Sequence, residues 1–576
     1  MKKALYLIVA ALMLVFPLVG CTGTPTATAT PAAATATPAA QNTDPATEPS
    51  AQAAEDGPFT KYSPEIDVTY ALSAGLDPKF PEGQNYENNV WLQEYKSDLG
   101  INAKFIWEAA GLEQYETKLN LAIASNELPD LIYCTNQSQM QRLADAGLVE
   151  ELTPLYEKYM SPLGKSGFES DGGMALKQTT VEGKLWGLPR GPVMMNNLEY
   201  TYIRQDWLEN LGLAAPKTTE DLLAIIEAFA KNDPDKNNKH DTYGLTISNQ
   251  PYENYMEIRG FANSFGAYPT SWILKDGKLA YGSTQPEMKN ALAALAKLYT
   301  DGAIDKEFVA KNAQAAYPDA VAGKGGVAFG KFWMITWPLP DTNKNNGDNS
   351  TKYWKQYPIL NTATPTTFHG TMGQQRVTEA YMVRKGYEHP EVLFKMANHY
   401  LDRLYGDKYN KQKYHSEDST GNSIFMLAPV GVYGGGNVNV AQNLAVTKAI
   451  DTKDESVLLT PEQKDTYKSV KEYMDGNRDS SHKTSSLLFY GADSIFGIEN
   501  SVITNKDFTL DMFYGSDTPE MLRRMSILRS QEEQMVLDII TGNKPVDYFD
   551  EFVTNWNSLG GETITFEVNQ WYDKVK

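Results

Sequence analysis

Residues 197–231 read NLEYTYIRQDWLENLGLAAPKTTEDLLAIIEAFAK, and the pattern changes period along the way. Residues 197–204 are rich in aromatic and β-branched side chains and read as a strand. Residues 205–212 carry apolar side chains at helical spacing and stop at a glycine. Pro216, the hydroxyls that follow and the early acids Glu220 and Asp221 then open a second helix, which runs to about Lys231. A strand that feeds helices in this way is the repeating unit of an α/β domain.

The same rhythm runs upstream. Residues 66–72 alternate as a strand, 89–99 follow helical spacing up to Gly100, and 101–107 form a second strand. A helix over 115–124, a strand over 129–133 and a helix over 140–147 complete the series. This succession predicts a sheet of parallel strands with ligands at the carboxyl ends, where Asp130 and Tyr133 fall. Between the two regions lies VEGKLWGLP (residues 181–189), in which Gly183 makes a turn and Pro189 ends the strand.

Composition narrows the function. The chain has 576 residues, too many for one simple domain, and implies two or three lobes. A net charge of −20 argues against nucleic-acid or anionic-membrane partners. Two cysteines and six histidines exclude a disulfide framework and a cysteine zinc cluster, and they disfavour a histidine metal site. With 33 Tyr and 10 Trp, flat rings are available either for sugar faces or for the core.

The N-terminus has Lys2 and Lys3, an apolar run over 4–16, and small residues up to Gly20 before Cys21. This order resembles a bacterial lipoprotein signal. The resemblance implies a signal peptide over 1–20, lipidation at Cys21, and anchoring at the extracellular or periplasmic face without a transmembrane helix. Residues 21–58, mostly Thr, Ala and Pro, then read as a disordered tether.

GKLWGLP, YIRQDWLENLGL and PKTTEDLLAIIEAFAK occur in that order, followed by VAGKGGVAFGKFWMITW (residues 321–337) and a C-terminal LGGETITFEVNQWYDKVK. Together they resemble the extracellular solute-binding proteins of carbohydrate ABC transporters, of the maltose- and alginate-binding type. The resemblance implies an α/β, two-lobed periplasmic-binding-protein-like fold (type II) with a central cleft and hinge crossings. Lobe one is expected over 59–188 plus about 360–430, and lobe two over 189–359 plus about 431–576. Crossings are expected near 189–192, 358–365 and 429–436. The implied function is capture of a carbohydrate by a monomer that is not an enzyme and that delivers its ligand to permease subunits. The alternative is a lipoprotein glycoside hydrolase or polysaccharide lyase. Such a hydrolase needs two carboxylates at a set separation, and 72 acids make candidate pairs uninformative.

For the cleft, the expected ligand residues are Trp91, Asp130, Trp186, Arg190, Asn197, Trp333, Trp337 and Arg376, with Trp333 at the family's stacking position. If Arg190 and Arg376 both face the cleft, an acidic sugar suits them. Arg204 is read as an ion-pair residue and Trp207 as core. DPDKNNKHDTYG (residues 233–244) places Asp233, Asp235, Asn237, the Lys239 carbonyl and Asp241 at the spacing of a structural Ca2+ loop. It departs from that pattern twice: Asn238 replaces the sixth-position glycine, and Gly244 replaces the twelfth-position glutamate.

Overall fold

The structure is a computed structural model that describes residues 56–74, 80–192, 198–342, 354–361, 370–372, 377, 379–417, 422–477 and 480–576. Cys21, most of the tether, Asn197 and Arg376 lie outside these residues.

Strand β1 (Ile66–Ala74) pairs in parallel with β2 (Ile101–Ala110). Between them Asn89 caps a short helix by accepting from the N–H groups of Trp91 and Leu92. Gly100 ends that segment in the left-handed region, φ 69°. A Cβ there would also lie 2.5 Å from the Tyr62 carbonyl oxygen, so only glycine fits. Helix α1 (Leu112–Ser125) leads to β3 (Leu131–Cys134), and α2 (Gln137–Asp145) follows, capped by the Asn136 side chain. A hairpin joins β4 (Thr180–Val181) to β5 (Lys184–Leu185). Its two turn residues, Glu182 and Gly183, both have positive φ, as a two-residue turn of primed type requires. β6 (Leu188–Pro189) comes next.

The second sheet is built from β7 (Glu199–Arg204), β8 (Tyr243–Thr246), β9 (Gly325–Lys331) and β10 (Trp354–Tyr357), in the order β10-β7-β9-β8. All six residues of β7 are buried, as expected of a strand covered on both faces. Helix α3 (Gln205–Leu211) ends at a left-handed Gly212. Helix α4 (Thr219–Lys231) starts with a complete capping box between Thr218 and Asp221. Gly326 in β9 has no room for a side chain: a Cβ would meet Phe229 at 2.3 Å and Trp207 at 2.5 Å.

Each sheet has its own core. Val68, Trp91, Leu131, Leu188, Phe394 and Tyr400 belong to one, and Trp207, Phe229, Leu292, Val327, Ile539 and Trp556 to the other. The chain returns to the first region as β11 (Ala380–Val383), which sits between β3 and β6 and is antiparallel to both. The expectation of a sheet of parallel strands is therefore corrected: β3, β11 and β6 form an antiparallel three-stranded sheet, β1 and β2 a separate parallel pair, and the four-stranded sheet is mixed. Parallel pairing is kept at β1–β2 and β8–β9. β11 arrives from a distant segment and not over a βαβ crossover, so nothing forces it to run parallel.

Candidate functional site

At the end of β9 the chain turns through Phe332–Ile335, which carries Trp333, and reaches Trp337. The two indoles stack with centroids 5.9 Å apart and planes 28° apart. Tyr255 stands edge-on to both, at 5.6 Å and 5.5 Å, and Tyr317 stands edge-on to Trp337 at 5.4 Å. Trp337 is 42% exposed, and Trp333 is half-buried. Tyr255 reaches the site because its backbone bridges Gly330, where a Cβ would lie 2.9 Å from the Tyr255 Cα. Its hydroxyl donates to Gln314 at 3.2 Å, and burial pushes its pKa up to about 12. The result is a broad aromatic surface on a rigid base. Nothing local in the sequence marks Tyr255 or Tyr317 as part of it.

Lys331, the last residue of β9 before this turn, belongs to a buried charge cluster. Glu199 pairs with Lys331 at 2.6 Å and with Arg259 at 3.3 Å. Glu257 accepts from the backbone N–H groups of Arg259 and Gly260. Its burial, with Glu199 nearby, pushes its carboxyl up to about 8. Two acids and two bases thus share one buried site.

The remaining expected site residues fall in different surroundings. Trp186 is half-buried beside a pocket next to α2. Trp91 is corrected from the cleft to the core. It is fully buried, stacks on Tyr400 at 5.0 Å, and donates its indole N–H to the Ile424 carbonyl at 2.8 Å. Asp130 is corrected from ligand contact to strand tie. One oxygen accepts from Arg384 at 2.6 Å, and the other accepts from the Thr69 N–H and hydroxyl at 2.9 Å and 2.6 Å. Arg190 is ion-paired and partly exposed. Its guanidinium is held by Glu379 at 3.1 Å and lies 5.2 Å from the Tyr433 ring. The Tyr133 hydroxyl donates to the same Glu379. Arg204 makes the expected ion pair, a two-point contact with Asp206 at 2.8 Å and 2.6 Å, and Trp207 is fully buried. Cys134 is a buried free thiol, pushed up to about 12 by its burial.

Two clusters bring acidic side chains close together. Glu94, Asp98 and His399 lie within 4.8 Å of one another. Arg403 already bonds Glu94 at 2.8 Å and Asp98 at 2.5 Å, and Lys413 bonds Glu94 at 2.5 Å. Burial and the Arg403 charge push the His399 imidazole down to about 3. This cluster is a closed ion-pair network. The loop after α4 is different. Asn237 donates to Asp235 at 2.8 Å and to Asp241 at 3.0 Å. The Asn238 N–H donates to Asp233 at 3.0 Å, and Asn238 itself adopts φ 61°. Asparagine thus takes the left-handed turn usually given to glycine. The Asp235 carboxyl is raised, first by burial and then by Asp233. Crowded carboxylates of this kind fit a hard cation. Gly244 cannot supply the twelfth ligand, because a Cβ there would lie 1.9 Å from the Ile226 carbonyl oxygen.

Known proteins share this architecture. Lipoprotein LipO of Bacillus subtilis (strain 168) is 31% identical over 269 residues, 45% of this chain and 49% of LipO. The fructooligosaccharide ABC transporter substrate-binding protein FusA of Streptococcus pneumoniae is 28% identical over 301 residues, 50% of this chain and 52% of FusA. The chain thus spans about half the length of these curated relatives. The structure of FusA in complex with kestose matches with a TM-score of 0.60 and 17% identity, covering 88% of this chain and 99% of that one. Alginate-binding protein AlgQ2, solved without calcium ion, matches with a TM-score of 0.60 and 16% identity, covering 90% of this chain and 100% of that one. These structures have the two-lobed type II fold, and this chain shares it. Residues 78–411, more than half of the chain, match the family described as "Bacterial extracellular solute-binding protein", and the chain belongs to that family.

Proposed function

We propose that the chain captures a carbohydrate between its two lobes and delivers it to the permease of an ABC transporter. The aromatic surface carries this reading: Trp333 and Trp337 stack at 5.9 Å with Trp337 42% exposed. An indole plane covers the C–H face of a pyranose or furanose ring, and polar groups at the rim read the hydroxyls. FusA and AlgQ2 are named for saccharide ligands, which supports the same class here. Lobe one is taken as 59–188 plus about 360–430, and lobe two as the remainder of the body. Closure of the lobes about the crossings traps the ligand. No bond of the ligand is made or broken in this reading.

Two further parts belong to the proposal. Cys21 carries a lipid and residues 21–58 hold the body off the membrane. Asp233, Asp235, Asn237, the Lys239 carbonyl and Asp241 hold a structural Ca2+, which when bound supplies only positive charge to a crowded acidic loop. The test is calorimetry against a glycan panel that begins with kestose, repeated with Trp333→Ala. Loss of one ring face costs on the order of 1–3 kcal/mol, or roughly ten- to a hundred-fold in affinity. Unchanged affinity in the variant refutes the platform. Turnover of the glycan by the wild-type chain supports the hydrolase or lyase alternative.

A further inference from the structure

Glu199 opens β7, and the register of the sheet sets it directly opposite Lys331, the last residue of β9. Both are buried. Trp333 stands two residues beyond Lys331, so Lys331 is the root of the turn that carries this indole. The Tyr202 hydroxyl braces that root, donating to the Lys331 carbonyl at 2.8 Å and lying 3.2 Å from the Phe332 carbonyl. The Glu199 oxygen that takes Lys331 at 2.6 Å also takes Arg259 at 3.3 Å, and Arg259 belongs to a different segment.

That segment carries Tyr255. Residues 247–258 form neither helix nor strand, so their shape depends on ties to their neighbours. Arg259 donates from its other terminal nitrogen to the Tyr252 carbonyl at 2.8 Å. The Lys331 N–H donates to the Asn254 carbonyl at 3.0 Å, and Tyr255 bridges Gly330. The loop is therefore fastened to the end of β9 by its backbone and, through Arg259 and Glu199, by charge. No donor among the described residues reaches the second Glu199 oxygen, Oε2. A buried carboxylate with an empty oxygen is a costly way to hold two strands together. An apolar pair at 199 and 331 would serve the sheet as well. It would not reach a third segment with a directed bond, which one oxygen shared between Lys331 and Arg259 does.

We infer that Glu199 is a positioning residue for the aromatic surface: by taking Lys331 and Arg259 on one oxygen it holds the Tyr255 loop against the Trp333 turn and sets the edge-on contact of Tyr255 with both indoles. Its effect on affinity rests on the carbohydrate reading above, whereas its effect on ring geometry is read without a ligand. The test uses the full-length chain and three measurements: thermal melting, the far-ultraviolet circular-dichroism couplet of the stacked indoles, and calorimetry with a glycan panel that begins with kestose. The couplet is identified as the band lost in Trp337→Phe. Glu199→Leu combined with Lys331→Met keeps the sheet packed, so it melts near the wild-type temperature. It loses at least half of the couplet and at least ten-fold in affinity. Arg259→Met, which leaves Glu199 paired with Lys331, has the same effect, and Arg259→Lys, which keeps a charge in reach, recovers part of it. A wild-type couplet and wild-type affinity in Arg259→Met overturn the positioning role. So does a couplet that falls only in step with the melting temperature across the variants, since that is the mark of a merely structural pair. Loss of the couplet in Arg259→Met, with no glycan bound even by the wild-type chain, overturns the carbohydrate reading and leaves the positioning of the rings intact.

Discussion

Glu499→Gln isolates one buried acid in the core that supports the aromatic surface. Glu499 is 1% exposed and accepts from the Tyr200 hydroxyl at 3.3 Å. Tyr200, Phe496 and Met334 share that core, with Trp333 packed against it. Burial pushes the Glu499 carboxyl up to about 8, from an ordinary value of 4.5. The folded pKa is raised, so the stability this group permits is complete below the unfolded value and is lost as pH rises through the folded value. Each pH unit in that window is worth about 1.4 kcal/mol. The wild-type fold therefore loses on the order of 3–5 kcal/mol between about pH 4.5 and pH 8 through this residue. Glutamine needs no proton to stay neutral and can still accept from Tyr200. Glu257 and Glu532 are raised in the same sense, so the readout is the difference between wild type and variant. Urea unfolding followed by tryptophan fluorescence at several pH values measures it. The two proteins should agree near pH 4.5, and the variant should be more stable by a few kcal/mol at pH 8. Parallel profiles across the range refute a neutral, buried Glu499.

A chelator should lower the melting temperature of the wild-type chain, and Asp235→Ala should remove that sensitivity, because a ligand at a hundred times its Kd stabilises by about 2.7 kcal/mol; identical melts with and without chelator refute the calcium loop. Cys21→Ala should release the body from membranes, and retention after a high-salt wash refutes the lipid anchor. Trp91→Ala should cost about 3–5 kcal/mol of stability with little change in the affinity of the folded protein, as expected of a core tryptophan; a selective loss of affinity returns Trp91 to the ligand site.

Much of the local structure is legible in the sequence because short-range physics decides it. Thr218 and Asp221 announce a capping box, Gly212 and Gly100 announce left-handed stops, and the structure contains each of these. The 233–244 loop is legible too, down to the positive φ of Asn238. These features depend on residues a few positions apart, so spacing alone identifies them. The fate of individual tryptophans does not follow from spacing. Trp91 and Trp333 have the same chemistry, yet one is sealed by Tyr400 and the Ile424 carbonyl while the other is left half-open beside Tyr255. The same holds for charge. Asp130 and Arg190 look available in the sequence, and Arg384 and Glu379 occupy them in the fold. The expected parallel direction failed for a similar reason, since β11 joins β3 and β6 from a remote part of the chain. What the sequence determined by itself was the set of elements, their caps, the acidic loop and the membership of a family. Only the tertiary structure decided which rings stay open, which charges are already paired and which strands run antiparallel, because each of those outcomes depends on a partner distant in sequence that packing alone brings into contact.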